Sequence, residues 1–91
     1  MRVRWTAVAA EDLEQIGDYL LRNYPHFRQR TLKRIYLGIA SLRKSPYRGR
    51  PGREHGTREL VFSPLPYIAV YRVSAVAIEI LRIRHSSKRP V

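Results

Sequence analysis

Ala9, Leu13, Ile16 and Leu20 recur at spacings of four, three and four residues, which puts them on one stripe of a helix, and Tyr24 continues the stripe by a turn. Thr6 stands just ahead as an N-cap, and Glu11, Asp12 and Glu14 fall early in the helix, where the macrodipole favours negative charge. The pattern predicts a helix from Ala7 to Asn23. Pro25 then restricts the residue before it and suits the first turn of a new helix, so the chain makes a tight connection here. Leu32, Ile35, Ile39 and Leu42 form a second stripe, while Arg28, Arg30, Lys33, Arg34, Arg43 and Lys44 mostly occupy the remaining surface. Arg43 and Lys44 suit the last turn of that helix, and Ser45-Pro46 stops it. Two stripes joined by a short turn predict an antiparallel helical hairpin.

Around this hairpin the period changes from helical to alternating. "RVRW" at residues 2 to 5 reads as a short N-terminal strand. Gly49, Pro51, Gly52 and Gly56 mark residues 47 to 56 as a loop, and three strand-like runs follow at 57 to 62, 67 to 73 and 78 to 85. Their connectors are short enough for a β-meander. The predicted fold is α+β, in the order β-α-α-β-β-β, a single domain over residues 1 to 91 with the helical hairpin packed on a small antiparallel sheet. One face of that sheet is left open, with Arg58, Arg72, Arg82 and Arg84 along its strands as docking residues for a partner.

Composition sharpens this picture in two respects. Eighteen Lys plus Arg against seven Asp plus Glu give a net charge of +11, and fifteen of the eighteen cations are arginine. Arginine favours bidentate contact with phosphate or carboxylate, so the balance calls for an anionic partner, either nucleic acid or an acidic protein segment. Cysteine is absent, which excludes a disulfide framework and Cys-based zinc, and the chain shows neither a secretory h-region nor an apolar run long enough to span a membrane. A cytoplasmic location is expected.

Candidate chemistry is sparse. His26, His55 and His85 lack metal-ligand spacing, so no metal and no cofactor is expected. The glycines of the loop precede a strand and no Gly-Lys-Ser/Thr follows, so they read as turn chemistry rather than a phosphate loop. His85-Ser86-Ser87 are sequence neighbours without an orienting acid, and read as the end of a strand. General acid-base cleavage of RNA needs only a base, an acid and cations, and Arg58, Arg84, His85, Lys88 and Arg89 offer cations and an imidazole. The nearby carboxylates, Glu59 and Glu79, read as strand residues paired with adjacent arginines. Arg58 and Glu59 point to opposite faces of a strand and cannot serve one site, Leu60 and Phe62 sharing the face of Arg58.

The stretches "RWTAVAAEDLEQIGDYL", "SPYRGRPGREHGTREL", "PYIAVYRV" and "IEILRIRHSSKR", taken in order from Trp5 to Arg89, resemble the RelE/ParE superfamily of bacterial toxins from type II toxin-antitoxin modules. The resemblance implies the β-α-α-β-β-β fold and a cognate antitoxin whose acidic, amphipathic C-terminal segment wraps the toxin. It also implies one of two targets: RelE-like members cut mRNA on the ribosome, whereas ParE-like members poison DNA gyrase. Of the RelE-like nuclease pattern only Arg58 has a counterpart here, since Ile68 follows Tyr67, Ser86 lies just past the last strand, and no tyrosine occurs after Tyr71. "GRPGREHGTREL" and "PYIAVYRV" are closer to ParE-like chains, while the tail "HSSKRPV" departs from the further basic and aromatic residues such chains often carry. On this reading no catalytic residues are expected, and Arg58, Arg72, Arg82, Arg84, His85, Lys88 and Arg89 are the candidates for target or antitoxin contact. A RelE-like nuclease would instead rely on Arg58, Arg84 and His85, and a nucleic-acid-binding module without toxicity is the third reading.

Overall fold

The computed structural model describes residues 1–87. Strand β1 (Arg2–Trp5) leads into helix α1 (Ala7–Asn23), and helix α2 (Pro25–Ala40) returns and ends in a 3-10 turn at Ser41–Arg43. Four strands follow: β2 (Arg50–Pro51), β3 (Arg58–Val61), β4 (Tyr67–Val73) and β5 (Ala77–His85). They form one sheet in the order β1-β5-β4-β3-β2. The expected α+β architecture is present, with two differences. The Gly/Pro loop holds a two-residue strand, Arg50 and Pro51 pairing with Glu59 and Arg58, and β1 runs parallel to β5 while every other pair is antiparallel.

Helix α1 begins where its cap predicts. Thr6 is extended, its hydroxyl accepts the Ala9 N–H at 3.1 Å, and the same hydroxyl lies 3.0 Å from the Ile80 carbonyl, tying the start of the helix to β5. The acidic residues do not serve the macrodipole as expected, because none falls in the first turn, where that field is felt. Asp12 instead turns toward β5. Tyr24 does not extend the buried stripe either: it ends α1 and is 53% exposed. Arg43 and Lys44 lie beyond the helix proper, in and after the 3-10 turn.

The core forms between the hairpin and one face of the sheet. Ala9, Ile35, Ile39 and Leu42 from the helical layer meet Leu60, Phe62, Tyr67, Ala69, Tyr71, Ile78, Ile80 and Ile83. Gly38 permits the approach of α2 to the sheet, since a Cβ there would lie 2.5 Å from the Phe62 ring. Alternation places Glu59, Val61, Ile68, Val70, Arg72 and Arg84 on the opposite face. Pairing shifts between Val70–Arg82 and Tyr71–Ile80, so Leu81 is the extra residue of a β-bulge in β5. Beyond that bulge β5 has no strand neighbour on its outer side among the described residues, because β1 pairs only as far as Ile80.

Candidate functional site

Two features of the open face were hidden from the sequence. Glu59 is 4% exposed although it faces away from the core. Its Oε1 accepts Arg50 Nη2 at 3.0 Å and Nε at 3.2 Å, and its Oε2 accepts Arg84 Nη2 at 2.9 Å. Arg50 reaches it from the edge strand β2. Arg84 reaches it from β5 by crossing the width of β4, so one carboxylate ties together strands on both sides of the sheet centre. The expected pairing of Glu59 with adjacent arginines is replaced by these cross-strand pairs, and Glu79 makes no ion pair among the described residues. The buried Arg84 Nε donates to nothing among the described residues.

Arg58 lies on the core-side face with Leu60, not on the open face with the other arginines. Its Nε and Nη2 donate to the Gly49 carbonyl at 3.1 and 2.6 Å, Nη2 also reaches the Tyr47 carbonyl at 3.1 Å, and the guanidinium sits 5.4 Å from the Tyr47 ring centre. Tyr71 completes this anchor from the core: its hydroxyl accepts the Gly49 N–H at 2.9 Å and donates to the Pro46 carbonyl at 2.8 Å. Any side chain at Gly49 would meet the Glu59 carbonyl and the Tyr71 hydroxyl, each 2.7 Å from its Cβ. The arginine-rich loop is thus fastened to β3 and β4 through its own backbone.

At the far end of β5, Arg82 Nε donates to Asp12 Oδ2 at 2.8 Å, and the Ile83 N–H donates to the same oxygen at 3.0 Å. The hydrogen bond to Asp12 and its charge hold Arg82 even more firmly protonated than usual. His85 stands edge-on to Tyr67, with ring centres 5.7 Å apart, and its Nδ1 lies 2.6 Å from Ser87 Oγ. Burial, with a smaller contribution from Tyr19, raises the Tyr67 pKa above the ordinary 10.0.

The candidate residues are therefore dispersed. Arg58 is level with Tyr71 and His85 with Tyr67, four residues earlier in β4, which is about 13 Å along the strands and two strand spacings, about 10 Å, across them. Arg84 is on the other face. Arg72 is exposed on the open face opposite Glu79. Lys88 and Arg89 lie outside the described residues. Among the described residues no group of three His, Cys, Asp or Glu is placed to hold a metal ion, and no helix is long and apolar enough to cross a membrane.

With this geometry in view, the family model described as the ParE toxin of type II toxin-antitoxin systems, parDE, matches residues 3–90. The chain belongs to the ParE toxin family. It is 40% identical over 88 residues to toxin Y4kP of Sinorhizobium fredii, covering 97% of this chain and 91% of that protein. It is 38% identical over 87 residues to toxin RelE2 of Caulobacter vibrioides, covering 96% and 97% respectively. Among solved structures, the chromosomal ParDE toxin-antitoxin system from P. aeruginosa contains a chain that superposes with a TM-score of 0.86 at 31% identity, over 93% of this chain and 95% of that one. The protein is a toxin of the RelE/ParE superfamily from a type II toxin-antitoxin system.

Proposed function

We propose that this toxin arrests growth in the ParE manner, by binding DNA gyrase in the cytoplasm without doing chemistry of its own, and that a cognate antitoxin with an acidic C-terminal segment silences it. The observation that carries the reading is how the cations are committed. A nuclease requires its base, acid and phosphate-stabilising cations to converge within hydrogen-bond reach of one scissile group. Here the Arg58 guanidinium is engaged by loop carbonyls, Arg84 by Glu59, and His85 faces the helical side. Binding needs no such convergence. It draws on exposed arginines and aromatics, the residue types enriched at interface hot spots. Arg72 and Arg82 on the sheet, with Tyr24, Phe27 and Tyr36 among the arginines of the hairpin, supply them. We assign Lys88 and Arg89 to the same target-binding surface on the strength of their charge.

The purified toxin should inhibit gyrase supercoiling and leave mRNA intact in a reconstituted translation reaction. Similarity to a protein named RelE2 favours one other reading, an mRNA endonuclease acting on the ribosome. In that case transcripts are cut during translation, gyrase is untouched, and His85→Ala abolishes cutting in a folded protein.

A further inference from the structure

The 35 residues from Tyr19 to Arg53 carry ten Lys and Arg and no Asp or Glu. Four of the seven acids, Glu11, Asp12, Glu14 and Asp18, sit together on α1, so α2 and the 3-10 turn after it have no counter-charge of their own. That one-sided charge borders a concave surface. A groove of about 1090 Å³ opens between β1 and the C-terminal end of α2. Half-buried Trp5 and buried Ile39 form its floor, Tyr36 is 58% exposed on its wall, and Arg2, Arg43 and Lys44 stand exposed around it. The Met1 ammonium adds a fourth cation, donating to the Arg43 carbonyl at 3.4 Å. No carboxylate lines the groove, and none of its three basic side chains is ion-paired among the described residues, whereas Arg50, Arg82 and Arg84 are each committed to a carboxylate.

We propose that this groove binds a short stretch of single-stranded DNA. Its volume lies above the range of about 300–1000 Å³ that encloses a drug-sized ligand, so it suits a segment of a polymer better than a free nucleotide. Arg2 on β1 and Arg43 and Lys44 on the turn stand on different walls, so they meet successive phosphates rather than one. The exposed Tyr36 ring between them offers a platform on which a base can stack, and cations interleaved with aromatics are what a single strand uses. An acidic peptide would engage the cations but leave the aromatic idle, and a duplex would bring bases already stacked on one another. The choice of DNA over RNA rests on the gyrase reading above, since that enzyme works on DNA. A toxin bound to gyrase then also holds a strand of the enzyme's substrate.

Trp5 is the single tryptophan of the chain, so its fluorescence reports occupancy of the groove directly. Titrating the full chain with a short oligodeoxythymidylate should quench it. Three phosphate contacts at about −0.7 each give log K against log salt a slope of about −2. The double variant Arg43→Ala/Lys44→Ala should reduce that slope by about 1.4. Tyr36→Ala, at an exposed position, should weaken binding roughly tenfold, while Tyr36→Phe keeps it. Arg22→Ala removes a charge at the far end of the hairpin, which α2 separates from the groove by roughly 22 Å, and should leave affinity and slope nearly unchanged. An effect of Arg22→Ala equal to that of Arg43→Ala shows attraction by net charge alone and overturns the inference. So do quenching by polyglutamate as strong as by the oligonucleotide, which makes the groove a site for acidic protein, and tighter binding of a duplex or of oligouridylate. Absence of quenching overturns the inference whether or not the toxin inhibits gyrase supercoiling. Quenching without that inhibition supports the inference and overturns the gyrase reading alone. Should the variants fail to fold, the unaltered chain compared across oligodeoxythymidylate, duplex, oligouridylate and polyglutamate decides.

Discussion

Replacing Glu59 with Gln keeps the shape of the side chain, removes its charge and turns one of its two accepting oxygens into a donating NH2, so it breaks the tie between β2, β3 and β5 without emptying the site. Breaking a buried ion pair from one side costs about 3–5 kcal/mol, because the remaining charge is left uncompensated. Here the figure must be reduced for solvent access. The Arg50 side chain is 59% exposed and rehydrates readily, whereas Arg84 is 20% exposed and also carries an Nε with no partner among the described residues. Most of the loss then falls on Arg84, giving about 2–3 kcal/mol for Glu59→Gln. At roughly 4–8 °C per kcal/mol for a chain of this size, thermal unfolding followed by circular dichroism should show Tm falling by roughly 8–24 °C. A double-mutant cycle carries the sharper test. Arg84→Met alone removes the buried guanidinium but deprives Glu59 of one counterion, and adding it to Glu59→Gln should recover about 1.5 kcal/mol or more relative to additivity. Additive effects, or a Glu59→Gln protein melting within about 3 °C of the parent, would refute the claim that this carboxylate organises the open face.

Three further predictions follow from the loop and from Tyr67. Arg58→Ala should lower stability by about 1–2 kcal/mol through loss of its bonds to Gly49 and Tyr47, yet remain toxic at a temperature where it is folded, while truncation after His85 should abolish toxicity; a growth assay distinguishes these. Tyr71→Phe leaves the buried Gly49 N–H unsatisfied and should cost about 1–3 kcal/mol in denaturant unfolding. Tyr67 has a folded pKa raised above 10.0, so its neutral form is preferred in the native state: its contribution is fully present below pH 10.0 and is lost as pH rises through the higher folded value. Stability measured across that alkaline window should decline less in Tyr67→Phe than in the parent.

The helices were legible in the sequence because their cues are local. The stripe from Ala9 to Leu20, the Thr6 cap and Pro25 place α1 and the start of α2 where they are found. What escaped depends on pairing between distant strands. Nothing in "RVRW" announces a parallel partner 75 residues away at Ala77, and two residues of ladder inside a Gly/Pro loop leave no period to read. Glu59 looked as though it belonged to its sequence neighbours because register alone brings Arg50 and Arg84 to it. Arg58 belongs on the core side rather than with the open-face arginines, as the face it shares with Leu60 and Phe62 requires. The position of Asp12 early in α1 suggests a dipole role, but its role comes from the end of β1 and the bulge at Leu81, which together expose the Ile83 N–H.

A toxin that acts by binding gyrase stops replication before translation. Pulse labelling in a bacterium over the first minutes after brief induction compares thymidine with amino-acid incorporation. DNA synthesis should fail first while protein synthesis continues. Protein synthesis failing first, with mRNA cleaved in the ribosomal A site, would contradict it.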